Sequence, residues 1–315
     1  MKNIFALIFS FQLLALSAMA APKVLTLALN WKAEPEFGGF YAAEIDGEFK
    51  KRGLDVKILE GGSGTPTIQM LANGKVDFAI VSADEIIIAQ ERNPKNKVIG
   101  LFAVYQTSPY IIMSHEERGF KTLKEVFTND GILSIQSGLP YYQFLVKKFG
   151  PPKVKVVPYL GGIANFVNDR KFSQQGFITT EPLSALKAGK KPKSFLIAEE
   201  GFNPYLVVVA TTEESLKKNP ELAKKMIEAV RAGWLSYLKS PDKTNKFMSE
   251  LNKSFDYDTF QKAAKIQEPL IQTAETLRTG LGAMNDNRWE ILVQQLKDLN
   301  LIKSTPVPQD LYKNL

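Results

Sequence analysis

The 315-residue chain has no cysteine and only one histidine, His115. Without a thiol there is no disulfide, no cysteine nucleophile and no cysteine for lipid attachment. One imidazole cannot supply the histidine pair that many metal centres need, and in Ser-His-Glu-Glu-Arg, a polar stretch after an apolar run, His115 reads as a solvated surface residue. No Gly-x-Ser-x-Gly nucleophile context occurs, and no Lys follows the glycines of Gly61-Gly62-Ser63-Gly64-Thr65 as a Walker loop requires. Gly280-Leu281-Gly282 lies in a helical stretch, away from any strand end where a dinucleotide site would form. These absences point away from an enzyme, and no metal or cofactor is expected.

Long hydrophobic runs are also missing, with one exception. Lys2, the apolar stretch Ile4 to Leu16 and the small-x-small triplet Ala18-Met19-Ala20 have the form of a signal peptide spanning residues 1–20, cleaved after Ala20. The run is shorter than the roughly 20 residues that span a bilayer, so export to the periplasm is expected rather than anchoring. Hydrophobic residues at 44% and charged residues at 23% suit a packed globular protein whose length favours two lobes. The formal charge of +7 is spread over pairs such as Lys50-Lys51, Lys147-Lys148 and Lys224-Lys225, with no interleaved aromatic motif. Such pairs are solvated helix faces, so no nucleic-acid partner is expected, and the protein reads as a monomer.

Strand and helix alternate through the first two thirds of the chain. Strands are expected at Val24–Leu29, Val56–Leu59, Phe78–Val81 and Val98–Tyr105, and again at Tyr110–Met113, Ile132–Ile135, Val154–Val157 and Gly176–Ile178. Helices near Phe40–Lys51, Pro66–Ala72, Ala83–Gln90, Leu123–Phe127, Tyr141–Phe149, Ile163–Asp169 and Pro182–Ala188 fill the gaps, giving an α/β fold of two mostly parallel, doubly wound lobes. After a further strand at Leu206–Ala210 the chain turns helical. Asn219-Pro220 starts a helix whose Leu222, Met226, Val230, Trp234 and Tyr237 share one face, which makes Trp234 core. Further helices are expected at Asn245–Leu251, Thr259–Thr276 and Arg288–Leu299. This tail lacks the strands for a third sheet and packs on the first lobe. Lobe 1 is then 21–107 with 208–315, lobe 2 is 108–207, and the chain crosses twice between them, as in a hinge.

In open α/β sheets ligands collect where strands turn into helices. The turn after the first strand carries Trp31, Glu34, Glu36, Phe37 and Tyr41; the glycine-rich turn carries Gly62 and Ser63, with Thr65 as a helix cap; and Tyr105 lies at the first crossing. Ser82-Ala83-Asp84-Glu85 has capping-box spacing, so Ser82 and Asp84 either cap a helix or face a ligand. Ser137 precedes the helix of Tyr141 and Tyr142, one of which is core, and Glu181 precedes Pro182 at a helix start. None of the seven arginine positions, Arg52, Arg92, Arg118, Arg170, Arg231, Arg278 and Arg288, falls in a strand-end turn, although recognition of small oxyanions favours Arg. Aromatic faces and carboxylates fit a neutral or cationic ring that stacks on Trp31 and donates N–H groups to Glu181 or Glu36.

The segments N-W-K-A-E-P-E-F-G-G-F-Y-A-A-E at Asn30–Glu44, G-K-V-D-F-A-I-V-S-A-D-E at Gly74–Glu85, Y-Q-T-S-P at Tyr105–Pro109 and Q-Q-G-F-I-T-T-E-P at Gln174–Pro182 resemble periplasmic substrate-binding proteins of ABC importers. Within these the chain is similar to the thiamine-pyrimidine-precursor binders, related to sulfonate, nitrate and taurine binders. The resemblance implies a type II periplasmic binding fold whose lobes close on a ligand and present it to an inner-membrane ABC permease, with Trp31 and Glu181 at family site positions. Eukaryotic pyrimidine-synthesising relatives carry a Cys-rich motif and a reactive His, so a chain without Cys is not expected to perform that synthesis. The expected function is capture of a pyrimidine or similar aromatic heterocycle. The alternatives are riboflavin or a sulfonate- or nitrate-like anion in the same role, and an exported enzyme of pyrimidine metabolism. An anion would have to be held by the N–H groups of the Gly61–Thr65 turn and of Ser137.

Overall fold

A computed structural model describes residues 23–136 and 138–315; residues 1–22, with the stretch expected as a signal peptide, and Ser137 lie outside the described residues. Ten strands form two five-stranded sheets. They are β1 (Val24–Ala28), β2 (Asp55–Leu59), β3 (Phe78–Val81), β4 (Val98–Tyr105), β5 (Tyr110–His115), β6 (Ile132–Ile135), β7 (Lys155–Pro158), β8 (Phe172–Phe177), β9 (Pro192–Leu196) and β10 (Leu206–Thr212). The first sheet has the order β2-β1-β3-β10-β4 and the second β7-β6-β8-β5-β9. Each is parallel except for one reversed strand, β10 in the first and β5 in the second. Those two strands are the ones by which the chain enters a sheet from the other. A strand reached by such a link has no crossover helix to return it to the starting edge, so nothing obliges it to run parallel.

The first core packs helix Gly38–Ile45 against helix Pro220–Lys239. Glycines make the approach close: a β-carbon on Gly39 would stand 2.1 Å from Trp234 Cγ, and one on Gly233 would stand 2.2 Å from the Gly39 carbonyl oxygen. Trp234 is fully buried there, as its helical spacing predicts. A second cluster gathers Ile86, Phe127, Leu133, Tyr205 and Trp289, bringing helix Asp286–Asp298 onto the same scaffold. No helix among the described residues is long and apolar enough to cross a membrane.

Several expectations from the pattern are corrected. The stretch expected as one helix over Phe40–Lys51 is two, Gly38–Ile45 and Glu48–Lys51, broken where Gly47 takes a φ of 72°. The stretch Thr259–Thr276 is likewise divided into Tyr257–Ile271 and Ala274–Thr279, the second capped by Thr273. Strand β9 was not visible in the pattern, and β8 begins four residues earlier than its apolar end indicates, at Phe172 rather than Gly176.

Candidate ligand-binding site

A cavity of about 150 Å³ lies between the carboxyl ends of the two sheets, lined from the first by Trp31, Glu34, Glu36 and Glu85 and from the second by Tyr159 and Glu181. That volume is close to engineered cavities that accept a single benzene ring. The turn after β1 and the turn after β2 are tied together by Gly61 N–H donating to the Trp31 carbonyl at 3.0 Å. Gly61 permits this, since a β-carbon there would meet the Leu29 carbonyl oxygen at 2.3 Å. Trp31 is partly exposed, its indole N–H donates to Glu34 Oε1 at 2.9 Å, and its ring overhangs the turn at Gly161 from the other sheet.

The opposite wall is organised by Glu181, the first residue of helix Glu181–Lys187. Its Oε1 accepts from the Tyr159 hydroxyl at 2.9 Å, and its Oε2 from Phe177 N–H at 2.7 Å and the Thr180 hydroxyl at 2.8 Å. Buried polar side chains of β8 hold the surrounding loops. Gln175 Oε1 accepts from Gln136 N–H and the Tyr141 hydroxyl, both at 2.6 Å, and Gln174 Nε2 donates to the Gly162 carbonyl at 3.0 Å. Val207, where β10 reaches the cavity, has a φ of 52°, a left-handed conformation that costs a residue of this kind about 1–3 kcal/mol and that collects at functional sites.

The electrostatics are one-sided. Glu34, Glu36, Glu85 and Glu181 all line the cavity, and no Lys or Arg does among the described residues. Burial, reinforced by Glu36 and Glu181 and opposed by the Trp31 hydrogen bond, holds Glu34 well above the usual carboxylate range. Glu36, only 4% exposed, is pushed up to about 8 by burial, with its own backbone N–H opposing and Glu181 adding to the rise. Glu85, partly open to the cavity, is pushed up to about 7 by burial and by Asp84, against the hydrogen bonds from Ser82. Asn30 Oδ1 and Glu36 Oε2 are buried acceptors with no partner in the protein, and both residues line the cavity. A ligand with N–H donors would satisfy them.

Of the residues singled out in the sequence, the cavity brings together Trp31, Glu34, Glu36, Phe37, Gly62, Thr65, Ser82 and Glu181. Tyr41, Ser63, Asp84, Tyr105 and Tyr141 do not line it. Tyr41 donates to Glu60 at 3.2 Å, Ser63 is exposed outside the lining, and Asp84 is buried behind the helix start. Tyr105 is fully buried and donates to Gln267 Oε1 at 2.7 Å, while Gln267 donates to the Pro35 carbonyl at 2.9 Å, so Tyr105 supports the floor from below. Tyr141, the core member of its Tyr pair, orients Gln175.

Sequence reasoning missed Asn30, Glu85, Tyr110, Tyr159 and Gln175 as lining residues. Tyr159 carried a usable signal, its place at the end of β7. The Ser82–Glu85 spacing points to Glu85 as a helix cap; its carboxyl group accepts from Ser82 N–H at 2.8 Å and also faces the cavity, so capping and lining coincide. Two other readings are corrected. Thr65 does not cap the next helix, which begins at Thr67; its hydroxyl accepts from Gly62 N–H at 2.8 Å and closes the loop on itself. His115 is buried, not solvated: its ring stacks on Phe166 at 3.9 Å and Nε2 lies 2.9 Å from the Phe166 carbonyl, outside the cavity.

Two α/β units whose strand ends enclose a cavity between them are the architecture of the periplasmic binding proteins, and the chain has that fold. It belongs to the NMT1/THI5-like family, whose model matches residues 34–244. Among curated proteins it is similar to the 4-amino-5-hydroxymethyl-2-methylpyrimidine phosphate synthase THI11 of Saccharomyces cerevisiae, 23% identical over 78% of this chain and 76% of that protein. It is also similar to the riboflavin-binding protein RibY of Chloroflexus aurantiacus, 20% identical over 92% of this chain and 84% of that one. Among solved structures, the periplasmic aliphatic sulphonate binding protein SsuA of Escherichia coli superposes with a TM-score of 0.68 at 11% identity, covering 94% of each chain.

Proposed function

We propose that the protein is the periplasmic solute-binding component of an ABC importer and captures an aromatic heterocycle rich in N–H donors, an aminopyrimidine first. It is taken as an exported monomer that hands its ligand to an inner-membrane permease, with lobe 1 at 21–107 and 208–315 and lobe 2 at 108–207. The observation that carries the reading is a cavity lined by four glutamate carboxyl groups and no Lys or Arg among the described residues. A flat ring stacked on Trp31 would donate to Glu36, Asn30 and Glu181, and closing the lobes would shut water out and so strengthen each of those pairs.

Three of the five N–H groups at the turn that would have to serve an anion are taken within the protein. Gly61, Gly62 and Thr65 N–H are all already partnered within the protein, by the Trp31 carbonyl, the Thr65 hydroxyl and the Gly62 carbonyl. Riboflavin keeps the carboxylate logic but asks for more room than one ring. The family also includes relatives named as synthases, and against an enzymatic reading stand the absent Cys and the seclusion of His115 from the cavity. Calorimetric titration with 4-amino-5-hydroxymethyl-2-methylpyrimidine, riboflavin and an alkanesulfonate tests the ligand class, and following the heterocycle for turnover tests catalysis. Stoichiometric binding without product is the expected result; product formation would overturn the transport reading.

A further inference from the structure

Helix Glu181–Lys187 joins the cavity to a second contact between the two units. Its first residue supplies the Glu181 carboxylate, and its last, Lys187, reaches the start of helix Tyr257–Ile271 on the other unit. The Lys187 ammonium donates to Asp256 and, at 2.7 Å, to the Thr259 hydroxyl, with Asp258 Oδ2 3.7 Å away. Asp256 is held in place before Lys187 meets it, because it caps its helix by accepting from Thr259 N–H at 2.9 Å and Thr259 Oγ1 at 2.7 Å.

The receiving helix links three places. Near its far end the Leu270 carbonyl accepts from Gln106 N–H at 2.9 Å and Thr107 N–H at 3.0 Å, at the first crossing between the sheets. In its middle Gln267 supports Pro35 and Tyr105 beneath the cavity. From Leu270 back to Thr259 a helix rises about 16 Å. A rotation on the order of 15° about the crossings would carry Lys187 about 4 Å from its acceptors, enough to break all three contacts.

We propose that Lys187 is a positioning residue that latches the two lobes shut over the cavity, so that it sets how long a bound ligand is retained. This rests on the ligand-site reading above only for the word ligand; the latch itself is a statement about the two lobes. An exposed pair is usually worth little, but here one ammonium meets a fixed carboxylate, a second carboxylate and a hydroxyl, and it pulls on the far end of a lever.

The test uses the absence of native cysteine. Lys57→Cys and Lys155→Cys, on the exposed edge strands β2 and β7, carry spin labels for pulsed electron-spin distance measurement on the full mature chain. Without added ligand, Lys187→Met is expected to raise the long-distance population over the parent, and Lys187→Arg to keep the parent distribution. With 4-amino-5-hydroxymethyl-2-methylpyrimidine as probe, Lys187→Met is expected to release about two- to fivefold faster with an unchanged on-rate. Distance distributions identical in the parent and Lys187→Met would overturn the latch. A widened distribution in a protein that binds no heterocycle would uphold the latch and defeat the pyrimidine reading instead.

Discussion

Gly176 lies beneath the carboxylate of Glu181: a β-carbon at position 176 would stand 2.7 Å from Glu181 Cγ and 2.8 Å from its carboxyl carbon. The missing side chain lets Glu181 fold back over β8, where Phe177 N–H and the Tyr159 hydroxyl fix both of its oxygens. Gly176→Ala should therefore displace the carboxylate while leaving the sheet intact. The expected outcome is a loss of heterocycle affinity of about tenfold or more, as for a charge-assisted hydrogen bond of about 1.5–3 kcal/mol, with a small change in melting temperature. Calorimetry and a thermal melt on the same sample read the two effects.

In the proposed site Trp31 is the stacking face. Trp31→Ala removes an aromatic surface whose burial by ligand is worth about 1.5–3 kcal/mol, or roughly tenfold to more than a hundredfold in Kd. Because the ring is partly exposed and overhangs the Gly161 turn, folding stability should change little. Fluorescence-detected titration of the variant checks this; unchanged affinity would exclude stacking on Trp31.

The carboxylate cluster fixes the sign of a pH effect. Glu36 and Glu85 hold their protons more tightly folded than unfolded, with native values of about 8 and about 7 against ordinary values near 4.5. Where the native state binds more protons, stability falls as pH rises, so the ligand-free melting temperature should drop between about pH 5 and pH 8. The carboxylates held low by partners, such as Asp46 and Asp77, act below that window. Glu36→Gln should flatten the slope, and a melting temperature that rises from pH 5 to pH 8 in the parent would contradict the assignment.

Arg288 ties the two crossings to the C-terminal helix. Its guanidinium donates to the Asn203 carbonyl at 2.8 Å, Asn203 Oδ1 at 3.0 Å, the Pro204 carbonyl at 3.1 Å and the Gln106 carbonyl, and it lies 4.0 Å over the Tyr205 ring. Arg288→Met takes this donor from the Asn203, Pro204 and Gln106 carbonyls, while Asn203 Oδ1 keeps the Ser108 N–H at 2.8 Å. A destabilisation of about 3 kcal/mol or more is expected in urea unfolding, since each orphaned buried group costs about 1–3 kcal/mol.

Much of this architecture was legible because hydropathy and burial agree. β1, β3, β4 and β10 are apolar runs in a buried sheet, and the Asn219-Pro220 start and the Trp234 face follow from capping and helical period. The misses lie where burial and polarity part. β8 reads Phe-Ser-Gln-Gln-Gly-Phe, yet Ser173, Gln174 and Gln175 are buried because each finds a hydrogen-bond partner in a neighbouring strand, loop or helix. No periodicity reveals such a strand. β9 opens on Pro192 and Lys193 at a sheet edge, where proline and charge are tolerated. His115 misled for the same reason: its polar neighbours hide an imidazole stacked on Phe166. For the cavity, the turns identified the walls but not their facing residues, since which side of a turn looks inward depends on the approach of the other lobe.

Competitive titration of the protein, with 4-amino-5-hydroxymethyl-2-methylpyrimidine against an alkanesulfonate, tests the central claim most directly. The acidic cavity predicts saturable one-to-one binding of the pyrimidine, lost in Glu36→Gln and Glu181→Gln, and no binding of the sulfonate. Saturable sulfonate binding with none of the pyrimidine would contradict it.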